Sequence, residues 1–105
     1  MVGSLPYYSP EQLRQGEYDE KIDVWGVGVM AYELILGRSP FQDDIIKIAK
    51  QEIEPELPEV TFPVDTAISD LARSFLTSLL NKDPGERIGI HEALRHEFIQ
   101  RHINE

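Results

Sequence analysis

The sequence contains no cysteine, one tryptophan and far fewer basic than acidic residues, 10 against 19. The absence of cysteine excludes a disulfide framework and a thiolate metal site, and it fits a reducing compartment. The resulting net charge of −9 at pH 7 argues against nucleic acid and anionic membrane surfaces as partners. A basic protein or peptide remains the compatible kind of partner.

Signals for export or membrane insertion are also missing. No apolar run is long enough to span a bilayer, and Met1 is followed by a short polar turn instead of the basic and apolar regions of a signal peptide. The three histidines are spaced five and six residues apart, which does not place metal ligands on one helical face. We expect at most one small domain, without a metal site, in the cytoplasm or nucleus.

The apolar residues concentrate in residues 22–36, where eleven of 15 residues are apolar and two are glycine. Because apolar side chains point in every direction, a helix here needs neighbours on all sides. We predict that it begins near Lys21 and ends at Gly37, with Pro40 as a second stop signal. A buried strand is the alternative, although 15 residues is long for a strand.

Capping residues and apolar spacing predict further helices around this one. Ser9, Asp43 and Ser69 are suitable N-caps, whereas Gly89 is a weaker cap for the last helix. That last helix is expected to bury Ala93, Leu94, Phe98 and Ile99. The predicted ranges are 10–13, 44–52, 70–80 and 90–103. We therefore predict an all-α fold of four to five helices packed around the central helix 22–36.

Three groups of segments in the sequence resemble motifs of protein kinases, in the family's order. The upstream segment is GSLPYYSPE (3–11), the central ones are DVWGVGV (23–29), YEL (32–34) and GRSPF (37–41), and the downstream ones are LLNKDPGER (79–87) and EALRH (92–96). They are similar to the kinase segments GTxxYxAPE, DVWSLGV…YELLTGxPPF and LLxxDPxxR…EALxH. The resemblance covers essentially the whole chain and implies the helical C-terminal lobe of a kinase from the substrate-docking loop onward.

Within that family, the segments YDEKID (18–23) and TFP (61–63) look most like Aurora-type serine/threonine kinases. The resemblance implies a parent reaction in which ATP, with Mg²⁺, phosphorylates serine or threonine of a protein substrate. It also implies substrates with basic residues upstream of the acceptor, and a location at the spindle or centrosome.

The resemblance assigns four residues to substrate docking. Ser4 matches the Thr or Ser that contacts the catalytic loop, and Leu5 and Tyr8 would line the pocket for the substrate residue after the phosphorylated one. Glu33 matches a position that receives a substrate arginine. The alternatives are an ordinary turn hydroxyl for Ser4 and a helix carboxylate without a partner for Glu33.

Four further residues receive structural roles. Glu11 and Arg87, 76 positions apart, match a buried ion pair of the family, and a guanidinium can hold a carboxylate through two parallel hydrogen bonds. Asp23 and Trp25 are assigned to the structural core. Since the catalytic loop that pairs with this aspartate in kinases has no counterpart here, the Asp23 carboxylate lies either at an exposed helix start or without donors.

The sequence has none of the motifs with which kinases bind ATP and transfer phosphate, namely GxGxxGxV, VAIK, HRD and DFG. We assign no catalytic residue and no cofactor to this chain and predict that it is inactive alone. It is interpreted as part of a serine/threonine kinase, as a stand-alone interaction module derived from a kinase lobe, or as an unrelated all-α interaction domain. With part of helix 22–36 and Asp23 left uncovered, self-association is expected.

Overall fold

Six α-helices form the regular structure of the residues that the computed structural model describes, 8–14, 17–54, 56–64 and 67–103, and these ranges contain no β-strand. The helices are α1 (Pro10–Leu13), α2 (Lys21–Leu36), α3 (Gln42–Ala49), α4 (Asp70–Leu79), α5 (Ile90–Arg95) and α6 (Glu97–Ile103). The predicted all-α class is confirmed. None of the helices in these ranges combines the length and apolar character needed to cross a membrane.

Helix α2 is the central element, and it packs against α4. It ends where Gly37 adopts a left-handed conformation (φ 75°) and donates its N–H to the carbonyl of Glu33 at 2.8 Å. Glycine adopts that conformation without steric cost, which explains why the helix stops there. The predicted bounds of this helix are confirmed.

A second glycine allows α2 and α4 to approach closely. A Cβ atom added at Gly28 would lie 2.8 Å from Leu80 Cδ2 and 2.9 Å from Leu79 Cβ. Atoms at such distances overlap, so no larger side chain fits without a shift of the α4 end. By contrast, a Cβ added at Gly26 would meet no atom within 4 Å.

Two groups of buried side chains hold the helices together. The larger one surrounds Trp25, and the smaller one joins α2 and α4 to the C-terminal helices. The larger group contains Trp25, Val29, Tyr32, Phe41, Ile45, Leu57, Leu76 and Leu80, and the smaller contains Val24, Phe75, Leu79 and Ala93. Both groups use the same side of α2, so this side is the core-facing one.

The opposite side of α2 is exposed in the described structure, although it too carries apolar side chains. Val27, Met30 and Leu34 are 42%, 54% and 84% exposed. The expected uncovered strip on this helix is therefore present. Apolar surface of this kind on a helix is characteristic of an interface.

The N-terminal caps of α1 and α4 are the predicted ones. The Ser9 hydroxyl accepts from the N–H of Gln12 at 3.4 Å, and the Gln12 side chain accepts from the N–H of Ser9 at 3.0 Å. The Ser69 hydroxyl accepts from the N–H of Ala72 at 3.1 Å. Each cap satisfies a backbone donor that the first helical turn leaves free.

The predicted last helix, 90–103, is wrong in one respect, because it is two helices separated at His96. This residue is extended (φ −60°, ψ 141°), and its ring packs edge-on against Phe75 of α4, with centroids 5.2 Å apart. Its Nδ1 accepts from the N–H of Phe98 at 3.0 Å, which caps the start of α6. The prediction that Leu94 is buried is also wrong, since this residue of α5 is 52% exposed.

Helix α3 also differs from its predicted range, since it begins at Gln42 and ends at Ala49 instead of covering 44–52. Asp43 is inside the helix and not its cap. The preceding residue, Phe41, is 3% exposed and stacks on Trp25 with ring centroids 5.5 Å apart. Packing of this aromatic ring, and not a side-chain cap, fixes where α3 begins.

Candidate functional site

A buried ion pair joins α1 to the loop between α4 and α5. Arg87 Nη1 lies 2.8 Å from Glu11 Oε2, and Nη2 lies 3.0 Å from Oε1. The two residues are only 1% and 4% exposed. Two parallel charge-assisted hydrogen bonds fix both the distance and the angle between the groups. The short α1, which begins two residues after Tyr8, is thereby held against the helical core.

The guanidinium of Arg87 has several further partners, most of them backbone carbonyls. Its Nε donates to the carbonyl of Asn81 at 2.8 Å, and Nη1 donates to the carbonyl of Lys21 at 3.0 Å. Nη2 also lies 3.4 Å from the carbonyl of Lys82. The guanidinium carbon stands 5.0 Å from the ring centroid of Trp25. A buried charge is tolerated when its donors are satisfied in this way.

The electrostatics of the pair favour the charged carboxylate. Burial raises the pKa of the Glu11 carboxyl. Hydrogen bonds from the Arg87 side chain and the backbone, together with the positive charge of Arg87 and a hydrogen bond from Ser9, outweigh burial, so that the pKa lies below its ordinary value. Glu11 is therefore ionised in the folded protein at neutral pH, and the pair is an ion pair and not a neutral hydrogen bond.

Trp25 occupies the core position assigned to it and is completely buried. It stacks on Phe41 at an interplanar angle of 14°, and the Arg87 guanidinium lies over its ring. Its Nε1 is a buried donor without a hydrogen-bond partner among the described residues. Trp25 thus connects the ion pair to the larger core group.

Asp23, assigned to the core together with Trp25, is exposed at the first turn of α2. The core assignment for this residue is wrong, and the alternative of an exposed helix start is correct. The reason is that Asp23 lies on the side of α2 opposite to the core, close to a helix N-terminus, where the helix dipole favours a carboxylate.

Tyr8 lines an open groove of about 540 Å³ between α1 and the exposed side of α2. Its remaining walls are formed by Gln12, Ile22, Asp23, Gly26, Val27 and Met30. Because Gly26 has no side chain, the backbone of α2 forms part of the groove floor. A mostly apolar, open groove of this size can accept one or two side chains of an extended peptide.

The other predicted docking residues are placed less directly. Ser4 and Leu5 lie outside the described residues. Glu33 is partly exposed on α2 and, three residues after Met30, lies about one helical turn further along. It is not among the residues that line the groove. The structure therefore brings Tyr8 to the exposed side of α2 and places Glu33 beyond the end of the groove.

A second cavity, of about 570 Å³, opens between the start of α2 and α5. Its lining residues are Glu20, Lys21, Asp23, Val24, Val27, Gly89, Ile90, His91, Glu92 and Arg95. Four of these lining residues are acidic or histidine: Glu20, Asp23, His91 and Glu92. However, no group of three or more such residues in the described ranges could hold a metal ion. We assign no metal to this cavity.

Sequence reasoning missed Lys21, which it used only as the start of the central helix. Lys21 Nζ donates to the carbonyl of Pro84 at 3.0 Å and to the carbonyl of Arg87. One signal was available in the sequence, because a cation at the first position of a helix opposes the usual preference set by the helix dipole. A residue that is unfavourable for its local structure is often retained because its side chain makes a tertiary contact.

The sequence profile of the protein kinase domain matches residues 1–99. The chain belongs to the protein kinase domain family. The matched residues include both members of the Glu11–Arg87 pair and the whole of α2. The groove beside Tyr8 and the Glu11–Arg87 pair therefore both lie within the part of the chain that matches the family.

Relatives of this kinase segment are serine/threonine kinases. It is 38% identical to an Aurora kinase of Eremothecium gossypii over 96% of this chain and 26% of that protein. It is 30% identical to Aurora kinase C of Mus musculus over 97% of this chain and 36% of that protein. It is also 34% identical to a serine/threonine-protein kinase of Aspergillus clavatus, over 94% of this chain and 11% of that protein. The resemblance to Aurora-type kinases is confirmed, and the chain spans about a third or less of these relatives.

Proposed function

We propose that this kinase segment provides the peptide-docking and lobe-stabilising part of a serine/threonine protein kinase. The observation that carries the proposal is the buried Glu11–Arg87 pair, with contacts of 2.8 and 3.0 Å. It anchors α1 three residues after Tyr8, so that the segment proposed to dock the substrate, with Ser4, Leu5 and Tyr8, leads into a fixed point. A docking segment needs such a rigid base to bind a peptide in one register.

The groove beside Tyr8 is the proposed site for the substrate residue that follows the phosphorylated serine or threonine. Its walls are largely apolar, with Val27 and Met30 exposed along it. Glu33 and the net charge of −9 support a preference for basic residues upstream of the acceptor. The proposed substrate is therefore a protein or peptide with an upstream arginine and an apolar residue after the acceptor.

Two observations support the proposal that ATP and Mg²⁺ are not bound by this chain alone. Among the described residues, no group of three acidic or histidine side chains could hold a metal ion, and the sequence has no glycine-rich phosphate-binding motif. We therefore assign ATP and Mg²⁺ to a complete parent kinase and no step of phosphoryl transfer to these residues. The chain by itself is proposed to be inactive.

A second candidate is a non-catalytic interaction module built from a kinase lobe. It is favoured by the exposed apolar strip of Val27, Met30 and Leu34 on α2. The two candidates differ in what covers this strip. In a complete kinase other parts of the catalytic domain cover it, whereas in a module a separate protein or a second copy does so.

Peptide binding and nucleotide binding test the proposal together. We would titrate the ¹⁵N-labelled chain with two serine peptides that differ only in having arginine or glutamate upstream of the serine. The arginine peptide is expected to shift Tyr8, Met30 and Glu33, and Glu33→Gln should weaken its binding about tenfold, as expected for loss of one charge-assisted hydrogen bond. Asp70→Asn, the same carboxylate-to-amide change on α4, is the matched control.

The negative results are equally clear. Equal binding of both peptides, or shifts confined to residues far from Tyr8, would contradict the docking proposal. A rise in the melting temperature with ATP–Mg²⁺, or phosphate transfer to the peptide, would contradict the proposed inactivity of the chain.

A further inference from the structure

Lys21 and Arg87 form two reciprocal hydrogen bonds, each from the side chain of one residue to the backbone carbonyl of the other. The Lys21 ammonium donates to the carbonyl of Arg87, while Arg87 Nη1 donates to the carbonyl of Lys21 at 3.0 Å. The same ammonium also donates to the carbonyl of Pro84 at 3.0 Å. Each residue therefore uses its side chain to bind the backbone of the other, across 66 positions of sequence.

The contacts of Lys21 differ in kind from the other backbone contacts of Arg87. Asn81 and Lys82, whose carbonyls also accept from Arg87, belong to the same loop as Arg87 between α4 and α5. They orient the guanidinium relative to its own loop. Lys21 is the first residue of α2, so its contacts orient the loop and the guanidinium relative to the central helix.

The position of Lys21 supports a role beyond helix formation. A positive charge at the first position of a helix is disfavoured by the helix dipole. Just before the helix, Asp19 Oδ1 accepts from the N–H of Lys21 at 2.9 Å. This bond uses only the backbone of Lys21. The Lys21 ammonium instead binds the loop that contains Arg87.

We propose that Lys21 is a positioning residue that fixes the Arg87 guanidinium in the orientation in which it binds both oxygens of Glu11. The expected effect of Lys21 on peptide docking rests on the proposed function, since Glu11 anchors the segment that includes Tyr8. Without the ammonium, the turn around Pro84 loses its bond to Lys21, while the bond from Arg87 Nη1 to the Lys21 carbonyl remains. Arg87 then keeps its charge but is held less firmly in its direction toward Glu11.

The wild-type chain gives the first test, through proton exchange of the lysine ammonium groups measured by ¹⁵N NMR. The sequence has four lysines, and the exposed Lys47 and Lys50 serve as internal references. The Lys21 ammonium protons should exchange about tenfold more slowly than the others, the factor that corresponds to one hydrogen bond of ordinary strength. Exchange as fast as that of Lys47 and Lys50 would overturn the proposal, and no variant needs to fold for this result.

Variants give the second test, with two spectroscopic readouts of Arg87. One is the Nε–H resonance of Arg87, and the other is the near-ultraviolet dichroism of Trp25, the single tryptophan, which lies under the guanidinium. Lys21→Met, which keeps the aliphatic stem, should shift both signals, and Lys21→Arg, which restores the donors, should return them. Lys47→Met, at an exposed position of α3, is the matched control and should change neither.

Peptide titration then separates this inference from the proposed function. If Lys21→Met alters both Arg87 signals and weakens binding of the arginine-containing peptide severalfold, with recovery in Lys21→Arg, positioning and its consequence for docking are both supported. If the signals respond but the wild-type chain binds no peptide, the proposed function fails and positioning of Arg87 stands. Unchanged signals in Lys21→Met would overturn the positioning role, whatever the peptide does.

Discussion

The two sides of α2 are similar in sequence but different in structure. Val24 and Val29 on one side are 3% and 0% exposed, whereas Val27 on the other side is 42% exposed. The glycines follow the same division, because Gly28 is in contact with α4 and Gly26 faces open space. Residue type along this helix therefore does not show which positions carry packing and which remain available for a partner.

The difference lies in what each side contacts. The packed side is held by the aromatic stack of Trp25 and Phe41 and by the Arg87–Glu11 pair above it. The open side is adjacent to the groove that includes Tyr8 and to the cavity beside α5. Changes on the two sides should thus affect stability and association separately.

The largest expected effect is on the packed side. Arg87→Ala leaves the Glu11 carboxylate buried without its partner, and this should lower the free energy of unfolding by about 3–5 kcal/mol. Urea denaturation followed by Trp25 fluorescence measures it. Arg101→Ala is the control, because its pair with Glu97 is on the surface, and it should leave the urea midpoint almost unchanged. Similar losses in both variants would contradict the role of burial.

The two glycines give a matched comparison with effects of opposite sign. Gly28→Ala forces a Cβ into Leu79 and Leu80, and overpacking of this kind costs about 1–3 kcal/mol, more than the helix propensity gained. Gly26→Ala meets no atom within 4 Å and should stabilise the chain by up to about 1 kcal/mol. Thermal unfolding of both variants should therefore shift in opposite directions. A shift in the same direction would show that α4 does not pack on α2 as described.

Acidification should weaken the packed side through Glu11. Since the folded state lowers the pKa of this carboxyl, its contribution to stability is complete above the unfolded value, about 4.3, and is lost as pH falls through the lower folded value. Urea midpoints measured from about pH 6 to pH 3 should fall less steeply in Glu11→Gln than in wild type. Parallel curves for the two proteins would show that Glu11 titrates alike in both states.

The smallest effect on stability is expected on the open side. Met30→Ser and Leu34→Ser remove exposed apolar side chains, so the free energy of unfolding should change by about 0.5 kcal/mol or less. We propose that the chain self-associates through this strip, and sedimentation velocity should then show less association in the double variant. Ile45→Ser, on a buried side chain of α3, is the contrast and should unfold the chain instead. Association that is unchanged in the double variant would contradict the use of this strip.

Local signals in the sequence were sufficient for several elements. The bounds of α2 followed from its apolar run and Gly37, and the starts of α1 and α4 followed from Ser9 and Ser69. The Glu11–Arg87 pairing could be expected from the kinase resemblance alone, since nothing local links residues 76 positions apart. The structure brings their charged atoms to 2.8 Å.

Tertiary contacts determined the rest. The break at His96 depends on its contacts with Phe75 and Phe98, and the start of α3 depends on burial of Phe41. The exposure of Asp23 could not be derived from its apolar neighbours, because a helix that is apolar all round gives no indication of which side lacks cover. In each case the local structure depends on packing or on the absence of a packing neighbour, which the adjacent residues in the sequence do not indicate.

The central claim, that one side of α2 is packed and the other open, is tested most directly by the valine methyl groups. A soluble paramagnetic probe would be added to the methyl-labelled Met30→Ser, Leu34→Ser variant, which is expected not to associate. The Val27 methyl signals should broaden strongly, while those of Val24 and Val29 should not. Equal broadening of all three, or protection of Val27 equal to that of Val29, would contradict the claim.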